Sequence, residues 1–402
     1  MTSQPTAPST TRTSPQTLGS PARTYHHAAQ QPTWADPDVR DAVCADLAER
    51  PALVDVAELR ALKAELAAVA RGEGLVLQAG DCAESFAECT PEHTRAKADA
   101  VQRLADRLAD ATGARTVPIG RIAGQFGKPR SSDTERVGER ELPSFRGHIV
   151  NAPEPTDGAR RHRAERMLEA YRTSHGAATE LRRRASRVWT SHEALVLDYE
   201  VPLVRFDDND AQWYLGSTHL PWIGERTRQS DGAHVRLLAD VLNPVACKVS
   251  GAAAQDELLR VCNLLDPERE PGRLTLIARF GADRVRDRLP EVARAVRAAG
   301  HPVVWLCDPM HGNTYTAVDG HKTRRLSTVQ DEVRGFVAAL REAGVRPGGL
   351  HLEAAADAVT ECVGGDVPDE QHLAERYTSL CDPRLNPGQA AAVVDTFTEE
   401  LA

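Results

Sequence analysis

Four short strings in this chain carry side chains that could hold a divalent metal: Gly80-Asp81-Cys82-Ala83-Glu84, Asp308-Pro309-Met310-His311-Gly312-Asn313, His351-Leu352-Glu353 and Cys381-Asp382-Pro383-Arg384. Together they offer a thiolate (Cys82), an imidazole (His311) and two carboxylates (Glu353, Asp382). Any one of these is as readily an ordinary core or capping residue. Four compatible donors, each just past an apolar run, are much harder to produce by chance. A set that mixes soft and hard donors suits Mn2+, Co2+, Fe2+ or Zn2+ better than Mg2+ or Ca2+. Structural zinc more often uses thiolates in close pairs, and the chain has no CxxC spacing. A catalytic ion with an open position is therefore the expectation.

Donors scattered over about 300 residues converge only if a fold gathers strand ends in one place, as a (β/α)8 TIM barrel does. Apolar runs predict strands at residues 75–79, 115–119, 213–218, 244–249, 274–280, 302–307, 349–352 and 377–381, with amphipathic helices between them. Gly113, Gly300 and Gly344 fall where those helices should end. Neither a GxGxxG turn nor a Walker motif is present, which argues against a nucleotide-binding sheet. On this reading Cys82 follows the first strand, Lys248 ends the fourth and Arg279 the fifth. His311, Glu353 and Asp382 follow the sixth, seventh and eighth. The long second loop adds Arg121, Lys128, Arg130 and Ser131, and the third adds Trp222, Glu225 and Arg226. Cations gathered on one rim are costly without an anion, so the implied substrate carries phosphate and carboxylate groups.

Residues 1–24, rich in Ser, Thr, Pro and Gln, read as a disordered leader. Residues 25–70 read as an N-terminal helical extension and 71–402 as the catalytic barrel. The formal charge of −9 excludes a broad nucleic-acid or anionic-membrane surface. No apolar run is long enough to span a membrane. Eight dispersed cysteines without close pairs read as reduced thiols in a cytoplasmic enzyme. Of 49 basic residues only five are lysines: Lys63, Lys97, Lys128, Lys248 and Lys322. A lysine here marks a place that wants a compact ammonium rather than a planar fork. Lys128 and Lys248 fit that reading, whereas Lys63 and Lys97 read as solvated helix faces. His192 and His219 read as packing residues, and Trp222 as a pocket wall.

Taken together, these strings resemble type II 3-deoxy-D-arabino-heptulosonate 7-phosphate (DAHP) synthases. The resemblance runs from Gln30-Gln31-Pro32-Thr33-Trp34 to Cys381-Asp382-Pro383-Arg384-Leu385-Asn386, and includes Asp231-Gly232-Ala233-His234 and His321-Lys322-Thr323-Arg324. It implies a metal-dependent condensation of phosphoenolpyruvate with D-erythrose 4-phosphate that releases phosphate. It further implies that Cys82, His311, Glu353 and Asp382 bind Mn2+ or Co2+. Arg121, Glu225, Arg226, Lys248 and Arg279 then match phosphoenolpyruvate-binding positions, and Lys128, Arg130 and Ser131 lie near the acceptor's phosphate. A generic pyruvate aldolase that works through a lysine Schiff base would not need the metal set.

Two departures from the family pattern matter. Leu181-Arg182-Arg183-Arg184-Ala185-Ser186-Arg187 runs almost directly into Trp189-Thr190-Ser191-His192, leaving no room for the helix pair that forms part of an aromatic amino-acid site. The resemblance is thus to the short, feedback-insensitive members associated with secondary metabolism. Val245-Ala246-Cys247-Lys248-Val249-Ser250-Gly251 is less Gly-rich than is usual around that lysine, which leaves an amino-sugar acceptor (the aminoDAHP reaction) open as the alternative. A non-catalytic metal-binding partner protein is the alternative of another class. Cys381, beside Asp382, allows a Cys82–Cys381 disulfide to form in air-oxidised protein. A homo-oligomer is expected, and nothing in the sequence supports a chorismate mutase partner.

Overall fold

The computed structural model of the chain describes residues 27–209 and 211–402. The leader expected over residues 1–24 lies outside the described residues. Eight parallel strands close into a barrel: β1 (Gly74–Gly80), β2 (Arg115–Arg121), β3 (Trp189–Glu193), β4 (Leu220–Ile223), β5 (Val245–Val249), β6 (Leu274–Ala278), β7 (Val304–Cys307) and β8 (Gly349–Glu353). They follow one another around the ring in chain order, and β8 pairs back onto β1 with Gly80 opposite Glu353. This is a (β/α)8 TIM barrel.

Before the barrel come α1 (Pro37–Glu49) and α2 (Val56–Ala70), the latter opened by a capping box between Asp55 and Glu58. Helix α3 (Pro91–Thr112) joins β1 to β2, and the short α4 (Asp157–Arg160) and α5 (Glu165–Arg183) join β2 to β3. A single helical turn, α6 (Leu197–Glu200), follows β3. Next come α7 (Ala233–Ala239), α8 (Gln255–Leu265), α9 (Val285–Ala298), α10 (Leu326–Glu342) and α11 (Pro387–Leu401), one after each of the last five strands. Gly113 (φ 67°), Gly300 (φ 81°) and Gly344 (φ 66°) end α3, α9 and α10 in the left-handed conformation that glycine adopts without a Cβ penalty. Among the described residues no helix is long and apolar enough to cross a membrane.

Two expected strands are corrected. Residues 213–218 do not enter the barrel; Gln212–Leu215 pairs antiparallel with Val204–Asp207 in an outer hairpin. Residues 377–381 form a loop whose Thr378 and Ser379 amides donate to the Glu361 carboxylate. The strands missed in their place are β3 and β4. The β3 sequence is polar, yet Thr190, Ser191 and His192 are buried because each finds a partner. Ser191 Oγ donates to Gly120 O at 2.9 Å, His192 Nε2 lies 2.9 Å from Glu200 Oε1, and Thr190 Oγ1 lies 2.8 Å from His219 Nδ1. Glu353 therefore ends the eighth strand rather than following the seventh, and Asp382 lies in the loop between β8 and α11.

Side chains alternate across each strand. Leu75, Leu77 and Ala79 of β1 face the helix layer and pack with Val101 and Leu104 of α3. Val76, Val117, Ile119, Leu220, Trp222, Ala246, Ile277, Val304 and Leu306 instead form one inward cluster with Leu62, Leu66 and Val69. Helix α2 is thus an apolar plug in the N-terminal end of the barrel. Continuing the same inward register upward reaches Gly80, Arg121, Glu193, Gly224, Lys248, Arg279, Asp308 and Glu353. The lower layers are hydrocarbon and the top layer is chemistry. Leu66→Ala removes a fully buried plug side chain and leaves a cavity, so stability to denaturant is expected to fall by about 2–5 kcal/mol. Catalysis per folded molecule should be retained.

Candidate active site

Three of the four expected donors converge at the C-terminal end of the barrel. The donor atoms of Cys82, Glu353 and Asp382 lie within 4.8 Å of one another. His311 stands beside them, with Nε2 3.0 Å from Glu353 Oε1. The place between the donors attracts positive charge: the Lys128 ammonium lies 2.8 Å from Cys82 Sγ, 2.6 Å from Asp382 Oδ2 and 3.6 Å from Glu353 Oε1. That is the electrostatic fit a divalent ion requires, and Cys82, His311, Glu353 and Asp382 are the residues that could hold one.

Burial alone would raise the Glu353 carboxyl, but His311, Lys128 and Arg324 outweigh it and hold the group well below the usual range. Arg324 Nη2 reaches Glu353 Oε2 at 2.8 Å and Arg121 Nη2 reaches Oε1 at 3.3 Å. Asp382 is likewise held down against burial, mainly by Lys128. Burial also opposes the Lys128 charge, yet Asp382, Cys82 and Glu353 push its ammonium well above the ordinary lysine value. Burial pushes the Cys82 thiol up, and Cys381 and Glu353 add to this. A thiol so placed ionises only against a cation. Cys381 packs on Cys82 and Phe145, and the two are not joined by a disulfide in the structure.

His311 is oriented from behind. Its Nδ1 lies 2.8 Å from Asp308 Oδ2, which leaves Nε2 turned toward the donor cluster. Asp308 is wholly buried, and the pull of burial on it is outweighed by His311 and Lys248. Lys248 Nζ lies 3.0 Å from the same Oδ2, and Arg279 Nη2 donates to the His311 carbonyl at 2.8 Å. Burial pulls the Lys248 ammonium down against the opposing pull of Asp308.

Above these groups opens a cavity of about 130 Å³ lined by Lys128, Pro129, Arg130, Ser131, Glu193, Gly224, Glu225, Arg226, Lys248, Arg279, His311, Lys322 and Asp382. A more apolar cavity of about 230 Å³ between α3 and α11 gathers no comparable set of donors. Two expected substrate-binding residues, like the donors Cys82 and Glu353, lie outside the lining of the charged cavity. Arg121 is buried, donating from Nε to Asp81 O at 2.8 Å and meeting His351 Nε2 from Nη1 at 2.7 Å. Trp222 lies under it, with the Arg121 guanidinium 5.2 Å from the ring centroid.

Other residues were missed or misread. Arg324 is wholly buried against Glu353, a role that its place in the His321-Lys322-Thr323-Arg324 string does not itself reveal. Lys322 Nζ lies 3.1 Å from Asp382 Oδ1; the scarcity of lysine was a usable signal. Lys97 is not on a solvated face, because its ammonium lies 2.7 Å from Asp81 Oδ2 and 3.5 Å from Glu84 Oε1. Arg384 spans the site's rim, 2.6 Å from Asp81 Oδ1 and 2.7 Å from Glu361 Oε1, and so ties the Cys82 turn to the Asp382 loop.

The model of the class-II DAHP synthetase family matches residues 20–186 and 175–397. A probable phospho-2-dehydro-3-deoxyheptonate aldolase of Pseudomonas fluorescens is 49% identical over 376 residues, spanning 91% of this chain and 94% of that protein. A phospho-2-dehydro-3-deoxyheptonate aldolase of Streptomyces coelicolor is 40% identical over 417 residues, spanning 90% and 93%. The phospho-2-dehydro-3-deoxyheptonate aldolase AroG of Mycolicibacterium smegmatis is 37% identical over 434 residues, spanning 93% and 92%. A barrel whose charged end holds these donors, matched along most of its length by such relatives, belongs to the class-II DAHP synthetase family.

Proposed function

We propose that the chain condenses phosphoenolpyruvate with D-erythrose 4-phosphate to give DAHP and phosphate, with Mn2+ or Co2+ held by Cys82, His311, Glu353 and Asp382. The observation that carries this is the cavity itself, where Arg226, Lys248, Arg279 and Lys128 open onto a Cys–Glu–Asp donor cluster. When bound, the ion supplies a Lewis acid that polarises the acceptor's aldehyde oxygen.

The protein's own groups do the rest. Lys248 and Arg279, braced by Asp308 and the His311 carbonyl, present fixed positive charge to the carboxylate and phosphate of phosphoenolpyruvate, with Arg226 beside them. Arg130 and Lys128 offer positive charge, and Ser131 a hydroxyl, to the acceptor's phosphate. Held in line, C3 of one substrate faces the carbonyl carbon of the other, and the ordering entropy is met by binding. Because the cations are already oriented, charge that develops on the transferred oxygens meets no reorganisation cost.

The deciding experiment is phosphate release by chelator-stripped protein given both substrates. No turnover is expected without metal, and turnover with a seven-carbon keto-acid phosphate product is expected on adding Mn2+ or Co2+. Metal-independent turnover would point instead to a Schiff-base aldolase. Arg279→Ala should lower kcat/KM by about 10²–10³-fold in the same assay, because it removes an oriented cation from the phosphoenolpyruvate wall. Helix α5 ends at Arg183 and β3 opens at Trp189, with no helix pair between them. Millimolar tryptophan, phenylalanine or tyrosine should therefore leave the initial rate unchanged, as fits an enzyme that supplies secondary metabolism. Strong inhibition by any of the three would overturn that part of the reading.

A further inference from the structure

The charged end of the barrel contains one acidic side chain that the roles above do not use. Glu193 closes β3 in the same inward layer as Lys248, Arg279 and Glu353, and it lines the anion cavity. Asp308, Glu353 and Asp382 are each clamped by cations. Among the described residues Glu193 has no ion-pair partner, and its Oε1 is buried without a hydrogen bond. The fold makes room for it deliberately: a Cβ at Gly224 would lie 2.1 Å from Glu193 Oε1. The Gln125 side chain accepts from the Glu193 amide at 2.9 Å and fixes the strand end.

An unpaired carboxylate in a cavity built for anions weakens substrate binding by repulsion. It is tolerable where the chemistry needs a proton acceptor. We propose that Glu193 is the proton-transfer group of the condensation, taking a proton from the water that adds at C2 of phosphoenolpyruvate and returning it to the departing phosphate. The inference rests on the condensation reading above.

The steps balance. The C3 electron pair bonds the aldehyde carbon, which leaves C2 electron-poor. Water's oxygen bonds C2 as one of its hydrogens passes to the Glu193 carboxylate. The C2–O bond to phosphate then breaks with its pair on the phosphate oxygen, which receives that hydrogen. Water's second hydrogen ends on the former aldehyde oxygen, and its oxygen becomes the C2 ketone. Glu193 finishes as it began.

Burial raises the Glu193 carboxyl above its ordinary value, which suits a group that both accepts and returns a proton. The charged groups facing it are Lys248 from β5, Lys128 and Arg121 from β2 and its loop, and His311 from the loop after β7. They are near enough to keep it ionisable, yet none clamps it.

The test is Glu193→Gln in the metal-loaded enzyme, with phosphate release and calorimetric phosphoenolpyruvate binding measured side by side. The expected result is a fall in kcat of at least about 100-fold with phosphoenolpyruvate affinity equal to or tighter than that of the wild type. A kcat within threefold of the wild type overturns the proposal. So does a defect confined to KM for the four-carbon acceptor, which would make Glu193 a specificity contact, and so does parallel loss of binding and turnover in a folded variant. Should the Gln variant fail to fold, Glu193→Asp, which keeps the charge but retracts it, is expected to lose at least tenfold in kcat at unchanged phosphoenolpyruvate affinity. Full activity there also overturns it. Wild-type protein that releases no phosphate from the two substrates would sink the condensation reading instead, so the two failures are distinguishable.

Discussion

Negative donors packed at the mouth of a barrel cannot stand in low dielectric without positive charge among them, and much of the upper half of this protein answers that constraint. Glu353 has no solvent exposure, and an isolated carboxylate there would cost several kcal/mol. Arg324, Arg121, His311 and Lys128 surround it instead. The same logic extends outward. Lys97 answers Asp81 and Glu84, and Arg384 answers Asp81 and Glu361. Glu361 in turn holds the amides of Thr378 and Ser379 just before Asp382. Loops that are remote in sequence are therefore held in register by charge rather than by apolar packing. Breaking one partner leaves the other buried and unpaired, which is why such networks position side chains tightly.

The lower half obeys a different constraint. There the inward cluster is aliphatic apart from Trp222 and the half-buried Trp189, and α2 seals it with Leu62, Leu66 and Val69. One barrel thus separates stability from chemistry along its axis, as the alternation of side chains on parallel strands permits. His351 sits at the boundary. It meets Gln78 Oε1 at 2.7 Å on one side and Arg121 at 2.7 Å on the other, converting hydrocarbon below into oriented cations above.

The sequence shows the barrel and offers candidate donors, but it does not show every strand or every charged partner. Cys82, His311, Glu353 and Asp382 are legible because donor chemistry is a property of single residues in short strings. The barrel itself follows from the strands that are apolar on both faces. What fails is β3, whose Thr190, Ser191 and His192 look like a loop until their partners on β2, α6 and the β3–β4 connection are known. The outer hairpin at Gln212–Leu215 wins its place because aromatic alternation is a local signal, and local signals do not say which sheet a strand joins. Lys97 fails for a related reason: its helix spacing is amphipathic, and only the tertiary structure brings Asp81 and Glu84 to its ammonium. Arg324 and Asp308 act through other residues, and that kind of role leaves little trace in one sequence.

A protein of formal charge −9 that takes anionic substrates must overcome its own field. The long-range potential repels an approaching anion, yet that repulsion is screened within about 8–10 Å of salt water. Inside the cavity the balance reverses, because Lys248 is buried and Arg279 and Arg130 are half-buried, where screening is weaker, and the exposed Arg226 and Lys322 add charge at the rim. The scarcity of lysine sharpens the point. Arginine forks serve the planar carboxylate pairs that stitch the loops, as with Arg384 and Glu361. Two of the ammonium groups stand at the cavity, Lys128 against the donor cluster and Lys248 against Asp308. A compact charge on a flexible stem gives up one partner for an arriving substrate more readily than a bidentate fork does. Lys128 and Lys248 thus serve at the cavity, whereas Lys97, held between Asp81 and Glu84, is structural.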